Sequence, residues 1–157
     1  MIDAEDCEVL FELSLCAKLG TEKIAMKRVE QSLSECGWEQ DKLEDMKTMT
    51  AEGCLNAIEH GCSFCSHLHY HVELTREGRE FVLRIRDKGE CSLQYSRDTI
   101  SFPHIEEVMN DEHRVRGWGL LMIDKLSDSW TLIRRGEFTE LEIRLFGPKM
   151  RGGTAGV

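Results

Sequence analysis

A chain of 157 residues suits one compact domain with a single sizeable core and leaves little room for a second independent unit. A formal net charge of −9, with no basic stripe to meet phosphates, argues against nucleic acid as a direct partner. The acidic start lacks the basic segment of a secretory signal, no apolar run approaches the roughly 20 residues that span a bilayer, and seven scattered cysteines form no even framework, so a reduced cytoplasmic protein is expected.

Residues 8–15 alternate, with Val9, Phe11, Leu13 and Leu15 on one side, and predict an opening strand. Thr21 is placed to cap a helix over 22–36, whose apolar face is Ile24, Ala25, Arg28, Val29, Leu33 and Cys36 and which Gly37 stops. A second helix is predicted over 40–60, with Leu43, Met46, Thr50, Gly53, Cys54, Ala57 and Ile58 in one stripe. Residues 67–75 and 80–87 alternate on either side of Arg76-Glu77-Gly78-Arg79 and predict an antiparallel hairpin. Residues 88–116 lack periodicity and are expected to form a long loop with a short helix around 104–109. A helix is predicted beyond Gly119, over 120–130, followed by a closing hairpin of 129–135 and 138–146 turned at Gly136.

This order predicts an α+β fold: a two-layer sandwich of helices on a mostly antiparallel, mixed sheet. One domain is expected over 1–148, with a disordered tail at 149–157.

Glu52 and Asn56 stand four residues apart on the second helix, about 40° apart around its axis, and so face the same way. Alone, such a pair reads as a solvated helix face. The segment Glu52-Gly-Cys-Leu-Asn56-Ala57-Ile58-Glu59-His60 resembles the ExxxNAxxH box of the histidine-kinase-like ATPase superfamily, which also holds the gyrase, heat-shock chaperone and mismatch-repair ATPases. Asp87-Lys88-Gly89-Glu90-Cys91 resembles that family's DxGxG box, with Cys91 in place of the second glycine. Arg116-Gly117-Trp118-Gly119 resembles its GxG box at the end of the ATP lid.

The resemblance implies ATP and ADP with Mg2+ as cofactors. Asn56 would be a Mg2+ ligand through its amide oxygen, Asp87 and Gly89 would meet adenine, and Gly117 and Gly119 would offer backbone N–H groups at a helix N-terminus to the phosphates. Arg114 and Arg116 are candidates for phosphate contacts, Thr139 for the adenine pocket, and His60 for a structural hydrogen bond at the helix end.

Chain length and the phrase RGWGLLMIDKLSDSW, within a likeness covering roughly residues 8–146, resemble the serine/threonine kinases that act as anti-sigma factors. That likeness implies a homodimer that sequesters a sigma factor and phosphorylates a serine on a STAS-domain anti-anti-sigma factor, with Glu52 as general base. A nucleotide-gated docking module without kinase activity is the alternative. A further reading comes from Cys62, Cys65, His67, His69 and His71, whose density suggests zinc, against a plain reduced loop followed by an exposed histidine-bearing strand.

Overall fold

A computed structural model describes residues 7–88, 95–96 and 114–148, with side chains at 7–88 and 119–148. Its elements are β1 (Cys7–Cys16), α1 (Glu22–Glu35), α2 (Gln40–Asn56) running into a π-helical turn (Ala57–Gly61), β2 (His69–Glu77), β3 (Glu80–Asp87), a two-residue β4 (Tyr95–Ser96), α3 (Arg114–Leu126), β5 (Ser129–Arg135) and β6 (Phe138–Phe146). The strands form one sheet in the order β1-β2-β3-β6-β5-β4. Every described pairing is antiparallel, so the sheet expected to be mostly antiparallel is so throughout the described residues. The expected short helix at 104–109, Gly89, Cys91 and the tail at 149–157 lie outside the described residues.

The core forms where the helices cover one sheet face. Ala25, Val29 and Leu33 of α1 and Leu43, Met46, Met49 and Cys54 of α2 are buried against a sheet row that includes Phe81, Leu83 and Ile85 of β3 and Leu141, Ile143 and Leu145 of β6. Register places Leu83 opposite Ile143 and Ile85 opposite Leu141, so the two apolar rows run side by side under α2. Glycine lets α2 come close: a Cβ on Gly53 would stand 2.5 Å from Ile85 Cδ1 and 3.1 Å from Leu141 Cδ2. Gly53→Val is therefore expected to lower stability by about 2 kcal/mol through overpacking, a drop of about 4–8 °C in Tm by calorimetry.

Local details correct the sequence reading at four places. Ile24, assigned to the buried face of α1, is half exposed, because Ala25, Val29 and Leu33 alone set the helix's contact with the core. Val9 is also exposed: the β1–β2 register shifts between Val9 and Phe11, and this bulge breaks the alternation that put Val9 with Phe11. Thr21 does not cap α1 with its side chain; Oγ1 instead lies 2.9 Å from the carbonyl oxygens of Cys16 and Lys18 and 2.8 Å from Tyr70 Oη, tying the helix start to the sheet. Finally, α3 begins at Arg114, ahead of the two glycines expected to precede it. Gly37 does end α1 with φ +81°, a left-handed cap conformation that glycine adopts without strain.

The opposite face of the sheet is closed by charge. Arg86 Nε meets Glu140 Oε2 at 2.6 Å, Arg84 Nε meets Glu142 Oε2 at 3.0 Å, and Arg144 Nη1 meets Glu80 Oε1 at 2.7 Å. Burial pushes the Glu142 carboxyl up, but hydrogen bonds and charge from Arg144 and Arg84 outweigh it and hold it below the usual range.

Candidate functional site

The core rows of β3 and β6 end in polar residues. Asp87 follows Phe81, Leu83 and Ile85 in the core-facing row, and Thr139 precedes Leu141, Ile143 and Leu145 in its neighbour. Asp87 and Thr139 are register partners and both are buried, at 8% and 5% exposure. Cross-strand partners of this kind sit within about 5.5 Å between Cβ atoms, so an acceptor and a hydroxyl share one spot at the end of the core.

The C-terminal end of α2 lies against that pair. After Asn56 the helix widens into the π turn, in which the Cys62 amide donates to the Ala57 carbonyl at 2.8 Å. Such turns recur at functional sites because the extra residue redirects the side chains that follow. Here the widening presses Gly61 onto Asp87: a Cβ at Gly61 would overlap the Asp87 carboxyl group. Cys62 is buried next door, and burial, then the negative charge of Asp87, push its thiol up to about 11.

Glu52 and Asn56 occupy the side of α2 that faces α3. A Cβ on Gly119 would stand 3.0 Å from Glu52 Oε2 and 3.4 and 3.5 Å from Asn56 Nδ2 and Oδ1. The two side chains are half-buried, and Asn56 Oδ1 has no hydrogen-bond partner among the described residues although it is shielded from water. A buried acceptor left unpaired costs about 1–3 kcal/mol, so a bound group that supplied a partner to Asn56 Oδ1 would be favoured by it. A hard amide oxygen fits Mg2+.

Desolvation raises the pKa of Glu52, and the charge of Glu59, about two turns further along the same face, adds to it. Burial alone raises Glu59. The pair was absent from the sequence reading, although the spacing of seven residues between Glu52 and Glu59 was available as a signal.

Gly117 and Gly119 fall within α3, so the sequence placement of both before a helix N-terminus does not hold. Gly119 lies beyond the first turn, where its N–H is committed to the helix, and its part in the site is the close approach to α2. The side chains of Arg114 and Arg116 lie outside the described residues. The site thus brings together Glu52, Asn56 and Gly119 on one side and Asp87, Gly61 and Thr139 on the other.

The suggested zinc cluster does not assemble. Cys62 is buried, whereas His69 and His71 project from the exposed side of β2, alternating with buried Tyr70 and Val72. Among the described residues no three ligands converge on a point. No described helix is long and apolar enough to cross a membrane.

The described residues form a two-layer α+β domain with a polar site at the end of its core, between α2, α3 and the β3–β6 pair. The histidine kinase-like ATPase domain model matches residues 16–145, and the chain belongs to that family, which makes it a nucleotide-binding domain. No curated protein sequence gives a match. The fold is similar to that of the RsbU and RsbW domains of Rv1364c from Mycobacterium tuberculosis, with TM-score 0.62 and 16% identity over 87% of this chain. This chain spans only 31% of that one. It is also similar to the SiaB–SiaC complex from Pseudomonas aeruginosa, with TM-score 0.60 and 14% identity, covering 87% of this chain and 89% of that chain. At such identities both likenesses concern the fold.

Proposed function

We propose that this protein is an ATP-dependent anti-sigma factor that sequesters a sigma factor and phosphorylates a serine on a STAS-domain anti-anti-sigma factor. The observation that carries the reading is the convergence of Glu52 and Asn56 on Gly119, with Asn56 Oδ1 unpartnered among the described residues. The similarity to a domain paired with RsbU and to the SiaB–SiaC complex supports a role among partner proteins. In this reading the chain is a single cytoplasmic ATPase domain over 1–148 and works as a homodimer.

Each residue then has a task. Asp87 accepts from the adenine amino group with Thr139 beside it, and Gly89 lets the backbone approach the base. Gly117 and Gly119 keep α3 close to the phosphates, and Arg114 and Arg116 supply positive charge there. Mg2+, when bound, would neutralise phosphate charge, and Asn56 Oδ1 would be a protein ligand to it. Glu52 takes the proton of the serine hydroxyl; its desolvation, and then the neighbouring Glu59, give the carboxylate a higher proton affinity than a solvated one, which suits a general base.

The test is to incubate the protein with Mg-ATP and STAS-domain candidates and to look for phosphoserine by mass spectrometry. Glu52→Gln is expected to slow transfer by about 10²–10⁴-fold while leaving ATP binding in place. Full transfer by this variant removes Glu52 from its role. Partner binding with the ATP left intact over time selects the docking module instead.

A further inference from the structure

β1 lies at the edge of the sheet and carries an exposed cysteine at each end, Cys7 and Cys16. Their surroundings differ. Cys7 is the register partner of Glu77, whereas Cys16 is the partner of His69. Cys16 Sγ lies 3.5 Å from His69 Nε2, within reach of a hydrogen bond through sulfur. Both side chains are exposed, and no described strand lies beyond β1, so a small solute reaches the pair directly. The register fixes this pairing, because the last residue of β1 meets the first residue of β2 on the face that also carries Ser14 and His71.

A thiol held against an imidazole at an accessible edge is the arrangement that makes cysteines nucleophilic, since the thiolate is the reacting form and a neighbouring imidazolium favours it. Neither residue belongs to the nucleotide site. We infer that Cys16 is a peroxide-reactive thiol and that His69 is its proton carrier.

The step balances with hydrogen peroxide as the oxidant. Nε2 of His69 accepts the thiol proton, and the thiolate sulfur attacks one peroxide oxygen. The S–O bond forms as the O–O bond breaks. Sulfur gives up two electrons and becomes a sulfenic acid, and the departing hydroxide takes the proton back from His69 and leaves as water.

The two cysteines of β1 provide an internal comparison in one molecule. The full chain is treated with dilute hydrogen peroxide at pH 7 in the presence of dimedone, and adducts on the Cys7 and Cys16 peptides are counted over time by mass spectrometry. With His69 Nε2 3.5 Å from its sulfur to take the thiol proton, Cys16 is expected to label about three- to tenfold faster than Cys7. His69→Gln, at an exposed position, is expected to keep Tm and to bring the Cys16 rate down to that of Cys7. Equal rates in the unaltered protein, or a Cys16 rate unchanged by His69→Gln, would overturn the inference.

Discussion

Gly61→Ala is expected to weaken ATP binding by about 10- to 100-fold with the fold retained. The added methyl group would occupy the space of the Asp87 carboxyl group, which lies against the Gly61 backbone. Asp87 must then rotate or the π turn must shift. Either movement breaks the alignment of the carboxylate with the end of the core and with its register partner Thr139. A charge-assisted hydrogen bond is worth about 1.5–3 kcal/mol, which sets the size of the loss. Titration calorimetry with ATP and with GTP gives the readout. Asp87 is proposed to read the amino group of adenine, so the variant should lose its preference for ATP over GTP as well as its affinity. Asp87→Asn should do the same without changing the packing at Gly61. Unchanged ATP affinity in Gly61→Ala, with Tm near that of the parent, would mean that Asp87 does not contact the base.

The dependence on Gly61 was not legible in the sequence, and the reason is physical. A glycine after a helix reads as a stop signal, and the 40–60 pattern treated Gly61 as one. Its actual constraint is a neighbour 26 positions away, visible only once the π turn has brought the end of α2 onto the end of β3. Thr139 was open to reading from periodicity alone, since it is in phase with Leu141, Ile143 and Leu145 and so must share their face. Both hairpins were legible for the same reason: period-two alternation survives pairing, and β5 and β6 have the bounds their patterns give, whereas β2 starts at His69 rather than His67 and runs on through Arg76 and Glu77, which the pattern gave to the turn. Failures came where a local signal competed with packing. The glycines of α3 read as punctuation, but the approach of α3 to Glu52 and Asn56 makes a glycine at position 119 useful inside a helix despite a cost of about 1 kcal/mol relative to alanine. The bulge in β1 left no mark in the sequence that separates it from plain alternation.

The opposition between site and fold is sharpest at Asn56, and it yields the second large expected effect. Asn56→Ala should abolish the Mg2+ dependence of ATP binding and at the same time stabilise the protein without nucleotide. The stabilisation follows from two contributions of like sign. Alanine removes the buried Oδ1 acceptor that has no partner among the described residues, and it is a better helix former than asparagine by about 0.6 kcal/mol. The cavity left by a short side chain offsets part of this, so a net gain of about 1 kcal/mol, or roughly 2–4 °C in Tm, is expected by calorimetry. The binding effect is read separately, as ATP titrations in Mg2+ and in EDTA, which should differ for the parent protein and coincide for Asn56→Ala. A residue kept for packing would show the reverse: a lower Tm and an unaltered Mg2+ response. Destabilisation together with a retained response would therefore refute the assignment of Asn56 as metal ligand. A higher Tm with the response lost would identify an acceptor held unsatisfied by the fold for a ligand to complete.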